Sequence, residues 1–212
     1  MISRFDECWI PDYEESPGLS GDLSHKYPLP KNAKFIGPLS RFYQAKTYSE
    51  KNAVDGKIIT IISGPEPQRS IFEDLLTVQL LELNQPGTIL SGKPESGNQS
   101  TSKDKLTILP HLPTQEMSDL INTSSIVICR SGYSSIMDLY ALGSKALFVP
   151  TPGQTEQIYL AELHQKAGST LWRKQDKLNL KADIDEALKY SGFNNNIDRL
   201  NLSAAIAELK KK

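Results

Sequence analysis

The chain of 212 residues is long enough for one large domain or two small ones. Hydrophobic residues make up 38% of it and charged residues 23%, a composition that excludes an intrinsically disordered protein. The 24 basic and 25 acidic residues give a net charge of −1, which argues against a nucleic-acid binder held by bulk charge. Two cysteines without a Cys/His cluster argue against a disulfide framework and against a structural zinc site.

The sequence shows no targeting or membrane-spanning pattern. Its first residues do not combine a basic stretch with an apolar one. No apolar run approaches the ~20 residues needed to span a bilayer. We therefore expect a cytoplasmic protein, and a peripheral contact with the inner face of the membrane stays open.

The first forty residues differ in composition from the rest of the chain. The segment 5–11 (FDECWIP) has the character of a strand, and a second short strand is predicted at 34–36. Between them the sequence is rich in Pro, Gly and Ser, which is typical of loops. We predict that residues 1–40 form an arm or linker with little regular structure.

From residue 57 onward, predicted strands alternate with predicted helices. Residues 57–63 (KIITIIS) form a continuous apolar and β-branched run, typical of a strand buried on both faces. The polar segment 92–105 has no periodicity and is predicted to be a surface loop. The alternation favours parallel βαβ units, so the predicted fold is α/β with a doubly wound parallel sheet. The other predicted strands are 88–91, 106–109, 126–129, 146–149 and 170–172, and the predicted helices are 70–83, 114–122, 134–142, 155–167, 181–191 and 196–211.

The loop that follows the first of these strands is one candidate for ligand binding. Open α/β sheets bind ligands at the carboxyl ends of their strands. Here Ser63 and Gly64 are followed by Arg69, which can meet a phosphate. Neither GxxxxGK[ST] nor GxGxxG is present, so an ordinary connecting loop is the alternative.

The loop between the strand 126–129 and the helix 134–142 is a second candidate. The free N–H groups and the positive end of a helix favour an anion, so this loop predicts a phosphate site. Asp138 shares a helix face with two serines of the first turn, where a carboxylate suits the two hydroxyls of a ribose. The alternatives are serines that only cap the helix and a carboxylate in solvent. The candidate residues are Arg130, Ser131, Gly132, Tyr133, Ser134, Ser135 and Asp138.

A third loop, at 150–157, precedes the next predicted helix. Two prolines restrict its backbone. Polar side chains around its glycine can form hydrogen bonds with sugar hydroxyls, and the alternative is that they only cap the helix. His111 follows another strand and is expected at the same edge of the sheet, but no Ser/His/Asp or Cys/His spacing indicates nucleophilic catalysis. The candidates of the loop are Gly153, Gln154, Glu156 and Gln157.

These loops resemble those of a known family. The stretch ICRSGYSSIMDLYALGSKALFVPTPGQTEQIYLAELHQKAG is similar to the donor-binding, C-terminal half of GT-B glycosyltransferases, and among them to the family 28 (MurG-like) enzymes. The shared pattern is a Ser-Gly turn, an acidic residue six positions later, a strand entry over 141–150 and a glutamine in the next loop. Here these positions are Ser131, Gly132, Asp138 and Gln157. The resemblance covers roughly residues 55–175 and extends to LPHLPTQEMSDLINTSSIVI before the second loop.

The chain departs from the family pattern at three places. Asp138 stands where the family usually has Glu, and Ser144-Lys145 replace a proline after Gly143. The first loop reads SGPEP where a GGSxG type is common.

The resemblance implies a nucleotide-sugar site in an inverting hexosyltransferase. The donor would be UDP-linked, with UDP-N-acetylglucosamine as the example. The backbone at His111 and Leu112 would hold uracil, Asp138 the ribose, the turn at 131–135 the diphosphate, and Glu156 with Gln157 the sugar. No metal and no further cofactor would be required, because the helix end stabilises the leaving diphosphate.

The resemblance also implies a division of the chain. Residues 1–40 would be the interdomain arm, 41–192 the donor-binding domain, and 193–212 a helix packing back toward an N-terminal domain. That domain, or a partner subunit, would bind the acceptor and supply the catalytic base, so no catalytic residue is assigned in this chain. The alternatives are half of a nucleotide-sugar hydrolase or of a 2-epimerase. A third is a non-enzymatic donor-binding subunit that recruits a membrane-bound partner through Phe42, Tyr43 and the last helix.

Overall fold

The computed structural model describes residues 4–44, 56–94, 99–194 and 200–209. The strands are β1 (Cys8–Ile10), β2 (Ala33–Phe35), β3 (Ile58–Ile61), β4 (Gly87–Leu90), β5 (Thr101–Lys103), β6 (Leu106–Leu109), β7 (Ile126–Cys129), β8 (Ala146–Phe148) and β9 (Leu171–Trp172). The α-helices are α1 (Asp22–His25), α2 (Gln68–Leu83), α3 (Thr114–Asn122), α4 (Tyr133–Leu142), α5 (Thr155–Lys166), α6 (Leu180–Ala187) and α7 (Leu200–Leu209). Short 3-10 turns lie at Arg41–Gln44 and Gln175–Lys177.

One sheet organises the main body of the chain. Its strand order is β5-β6-β4-β3-β7-β8-β9, and all neighbours are parallel except β5 and β6. The central strand β3 pairs along its whole length, with Ile58 opposite both Gly87 of β4 and Ile126 of β7. The predicted α/β class with a doubly wound parallel sheet is confirmed.

Helices cover both faces of this sheet, which explains the apolar runs in the sequence. Ile126 and Ile128 of β7 pack in the core on the side of α2 and α6, while Val127 and Cys129 pack on the side of α3, α4 and α5. Successive residues of a strand point to opposite faces, so a strand covered on both sides must be apolar throughout.

Part of the predicted surface loop forms a strand. Thr101–Lys103 pairs antiparallel with β6 through a turn at Asp104, whose φ is +54°. The prediction of an irregular loop over 92–105 is therefore wrong at β5; residues 95–98 of that loop lie outside the described residues. All positions of β5 are exposed, so no alternation of apolar and polar residues marks this edge strand in the sequence.

The N-terminal arm, predicted over residues 1–40, is described from residue 4 and continues into the 3-10 turn at Arg41–Gln44, and this segment is tied to α4 and α5. Its strands β1 and β2 pair in parallel, close to the two predicted positions. The Tyr133 hydroxyl donates to the carbonyl of Pro11 at 2.8 Å, and the backbone N–H of Asp22 donates to the Tyr159 hydroxyl at 2.6 Å. The arm thus has more fixed structure than its composition predicts, and its interdomain role stays a prediction.

The last helix contacts this arm. Within the predicted helix 196–211, the structure describes α7, and residues 195–199 and 210–212 lie outside the described residues. Glu208 of α7 pairs with Lys34 of β2 at 2.9 Å. None of the helices in the described ranges is both long and apolar enough to cross a membrane.

A buried histidine between the arm and α5 predicts an acid-sensitive contact. His164 is only 4% exposed, its Nε2–H donates to the carbonyl of Leu19 at 3.0 Å, and its ring meets the edge of Phe193. Burial lowers the pKa of His164 below its ordinary value of 6.5, against smaller opposing effects of the Leu19 hydrogen bond and the Asp12 charge. The neutral ring therefore contributes stability that is present above pH 6.5 and is lost as the pH falls through the folded-state pKa.

We expect His164→Gln to flatten the dependence of unfolding free energy on acid pH. Glutamine can donate to the same carbonyl but does not titrate, whereas one histidine contributes at most about 1.4 kcal/mol per pH unit. Urea denaturation of both proteins between neutral pH and about pH 5 measures the two slopes. Equal slopes would contradict this assignment.

Candidate functional site

The four loops that carry the predicted site residues meet at one edge of the sheet. They follow the carboxyl ends of β3, β6, β7 and β8, which are aligned by the parallel register. The topology therefore brings the predicted residues to a common edge, either in the loops or in the first two turns of the helices that follow. These residues are Ser63, Gly64, Arg69, His111, Leu112, Arg130, Ser131, Gly132, Tyr133, Ser134, Ser135, Asp138, Gly153, Gln154, Glu156 and Gln157.

The N-terminus of α4 is an open anion-binding feature of this edge. Gly132 is its N-cap residue, in extended conformation, and no side chain in the described part of the chain caps the first turn. A Cβ atom built on Gly132 would meet nothing within 4 Å. Ser134 is exposed and Ser135 is half-buried in that turn. The space beside Gly132, at the positive dipole end of α4, is thus open, and helix ends of this kind hold phosphate in α/β proteins.

Side-chain hydrogen bonds hold the third loop in place. The Gln157 side-chain oxygen accepts from the N–H of Thr151 at 2.8 Å, and Ser131 donates its hydroxyl to the Gln157 carbonyl at 2.7 Å. These bonds join the second and third loops. In this structure Gln157 and the buried Ser131 therefore act inside the protein, whereas Gln154 and Glu156 are exposed at the rim.

The first loop has an exposed backbone, and its arginine pairs within the protein. Ser63 and Gly64 are exposed, and Gly64 has a φ of +105°, a conformation that side chains rarely adopt. Arg69 pairs with Glu66 at 2.9 Å and donates to the carbonyl of Gly92 at 2.9 Å. Hydrogen bonds from Ser70 and then from Arg69 lower the pKa of Glu66. In this arrangement Glu66 and the carbonyl of Gly92 hold the Arg69 guanidinium, and its contact with a phosphate stays a prediction.

The loop after β6 places His111 and Leu112 at the same edge, both half-buried. The Nδ1 atom of His111 is buried and has no hydrogen-bond partner among the residues that the structure describes. Burying an unpartnered polar atom is costly, so this nitrogen marks a place where a ligand or water can bind.

Asp138 is covered by the end of the arm. Ser40 donates its hydroxyl to one carboxylate oxygen at 2.6 Å, and the Nε atom of Arg41 lies 3.3 Å from the other. Burial raises the pKa of Asp138, and the contacts with Ser40 and Arg41 oppose that rise. Sequence reasoning missed Ser40 and Arg41, since no local spacing relates them to a carboxylate 98 positions away from Ser40.

Arg130 lies beneath the loops and not in the space above α4. Its side chain is 1% exposed and donates to backbone carbonyls and to the amide oxygen of Gln175. In this arrangement the guanidinium is used inside the protein, whereas the sequence predicts a direct phosphate contact. Gln175 was not among the predicted residues, and nothing in its local sequence indicates this role.

A small apolar cavity adjoins the third loop. Its volume is about 240 Å³, and its walls include Pro150, Gly153, Ile158 and Trp172. A larger cavity of about 360 Å³ lies elsewhere, between the second half of α2 and the start of α6, lined in part by Val78 and Lys181. The smaller cavity is the one that extends the candidate site.

Comparison with known proteins places this architecture in a family. The model of the family described as Glycosyltransferase family 28 C-terminal domain matches residues 74–211. Among curated proteins, none matches the sequence.

Solved structures, two of them named as glycosyltransferases, share the fold at low sequence identity. The glycotransferase of kitacinnamycin has a TM-score of 0.54 at 16% identity, over 85% of this chain and 46% of that one. SnogD from Streptomyces nogalater has a TM-score of 0.51 at 12% identity, over 85% of this chain and 52% of its own. Os79 from O. sativa, solved with UDP and deoxynivalenol-3-glucoside, has a TM-score of 0.50 at 14% identity, over 84% and 45%. The chain therefore spans about half the length of these structures.

Proposed function

This chain belongs to the glycosyltransferase family 28 C-terminal domains, and from that membership we propose that it forms the donor-binding half of an inverting glycosyltransferase. The donor in this proposal is a UDP-sugar, with UDP-N-acetylglucosamine as the first to test. The acceptor and the catalytic base come from outside the chain, from an N-terminal domain or a partner subunit.

The open N-terminus of α4 is the observation that carries the proposal. A diphosphate bound above Gly132 would receive N–H donors from the first turn of α4 at the positive end of the helix dipole. The same groups would stabilise the charge that grows on the leaving diphosphate during transfer. This site therefore supports both donor binding and departure of the nucleotide.

The remaining contacts are those that the family resemblance implies for the loops along this sheet edge. The uracil would lie against the backbone at His111 and Leu112, on the β6 side of the diphosphate. The ribose would lie near Asp138, and its hydroxyls would share or replace the contacts of that carboxylate with Ser40 and Arg41. The sugar would lie toward the α5 N-terminus, beside Gln154 and Glu156. The structure of Os79, a similar fold solved with UDP, is a precedent for this nucleotide.

Donor binding in this proposal needs no divalent metal. The end of α4 takes over the neutralisation of the diphosphate.

We expect UDP to bind the chain and uridine to bind far more weakly, with EDTA leaving UDP binding unchanged. UDP at about 100 times its dissociation constant should add about 2.7 kcal/mol to the unfolding free energy and raise the melting temperature. Isothermal calorimetry and thermal unfolding measure both effects. If neither UDP nor any UDP-sugar binds or shifts the melting temperature, the proposed function is wrong.

A further inference from the structure

A buried cation lies under the candidate anion site. The Nη1 atom of Arg130 donates to the carbonyls of Val149 and Pro150 at 2.9 and 3.2 Å. Its Nη2 atom donates to the Gln68 carbonyl at 3.3 Å and to the Gln175 side-chain oxygen at 2.8 Å. These contacts join the start of the third loop, the first turn of α2 and the 3-10 turn after β9.

The guanidinium has neutral partners throughout. Its Cζ atom lies 3.8 Å from the ring centroid of Phe72. Among the described residues, its Nε atom has no hydrogen-bond partner, and the hydrogen bonds of the guanidinium go to carbonyl and amide oxygens. Burial lowers the pKa of Arg130 to about 10, so the group still carries its charge at neutral pH. A buried charge without a counter-charge is unfavourable, and proteins rarely keep one unless a ligand or partner compensates it.

The position of this charge indicates which ligand would compensate it. Arg130 is two residues before Gly132, and its contacts hold the loops on either side of the α4 N-terminus. The positive charge and the positive end of the helix dipole lie at the same edge of the sheet and have the same sign. Their potentials add in the space above Gly132, and the low dielectric around Arg130 limits the screening by water.

We propose that Arg130 is a positioning residue that supplies, from beneath the loops and without touching the ligand, positive potential selective for the diphosphate of a nucleotide. This inference rests on the proposed function and assigns separate roles to the backbone of α4 and to Arg130. The N–H groups of α4 contact the diphosphate, and Arg130 fixes the loops and makes the site positive.

The test compares UDP with uridine, which has the same base and ribose without the charge. We expect Arg130→Met to lower UDP affinity by about tenfold or more, while uridine affinity changes by less than about twofold. The ratio of the two affinities isolates the charge, since a purely structural disturbance of the loops lowers both. Calorimetry gives the two affinities, and circular dichroism with thermal unfolding confirms that the variant folds.

Two further variants keep the test decisive. Gln175→Leu removes one contact of the guanidinium but keeps its charge, and should leave the UDP-to-uridine ratio within about twofold of wild type. Arg130→Lys keeps the positive charge but lacks the planar set of guanidinium N–H donors. Its UDP-to-uridine affinity ratio should stay within about threefold of wild type, and this variant can be measured even if Arg130→Met does not fold. An unchanged ratio in Arg130→Met, or a tenfold loss of the ratio in Arg130→Lys, overturns the proposal. If wild-type protein binds no UDP, the proposed function fails first, and the two failures are thereby distinguished.

Discussion

Replacing Gly132 by Asp is expected to abolish UDP binding while the fold stays intact. Gly132 has φ −69° and ψ 146°, a conformation open to any residue, and a Cβ atom there meets nothing within 4 Å. Aspartate is a favoured N-cap residue, so its carboxylate would bond the N–H groups that we assign to the diphosphate and would repel that anion. We expect UDP affinity to fall by about 100-fold or more and stability to change by no more than about 1 kcal/mol. Calorimetry and urea denaturation measure the two quantities.

Two variants at the same position separate charge from volume. Gly132→Asn offers a similar capping oxygen without the charge, and its loss of UDP affinity should be intermediate. Gly132→Ala adds only a methyl group and should change affinity least. If Gly132→Asp binds UDP as tightly as the wild type, the N-terminus of α4 is not the diphosphate site.

Replacing Asp12 by Ala is expected to release the N-terminal arm from the rest of the protein. Asp12 is fully buried and accepts backbone N–H groups of Tyr13, Leu19 and Ser20 at 2.8, 2.8 and 2.9 Å, together with the hydroxyls of Ser20 and Ser24. Alanine would leave these donors without their acceptor in a buried place. We expect the free energy of unfolding of the arm to fall by about 3 to 5 kcal/mol.

Hydrogen exchange of the arm amides measures this loss directly. Protection should fall for the residues around Asp12, while the strands of the central sheet keep more of theirs because their own contacts are intact. Asp6→Ala is the matched control, since Asp6 is an exposed aspartate in the same arm. Wild-type protection of the arm in Asp12→Ala would show that this carboxylate does not hold the arm.

The central strands could be predicted from the sequence because of how they are buried. A strand such as β3 is covered on both faces, and its residues are apolar except for the buried, β-branched Thr60. Such a run can be recognised in the sequence without knowing its partner strands. The edge strand β5 has exposed positions throughout and leaves no such pattern. The arm was underestimated for a related reason, since the contacts that fix it are hydrogen bonds of Asp12 and His164 and not an apolar repeat.

The candidate site also has a part that could be predicted from the sequence and a part that could not. Its backbone part could be predicted, because Gly132 before a helix that follows a buried strand is a local pattern with a local consequence. The side-chain roles could not. Arg130 was expected to touch phosphate and lies under the loops, and Asp138 is shared with Ser40 and Arg41 of the arm.

The sequence by itself determined the α/β sheet and the edge at which its loops meet, since both follow from periodicity and glycine positions within short segments. Only the tertiary structure decided which charged side chains face outward. That outcome depends on partners far apart in the chain, such as Arg130 with Gln175 and Asp138 with Ser40. The sequence and the structure agree on the N-terminus of α4. Its N–H groups belong to the backbone, and no side chain in the described ranges caps them.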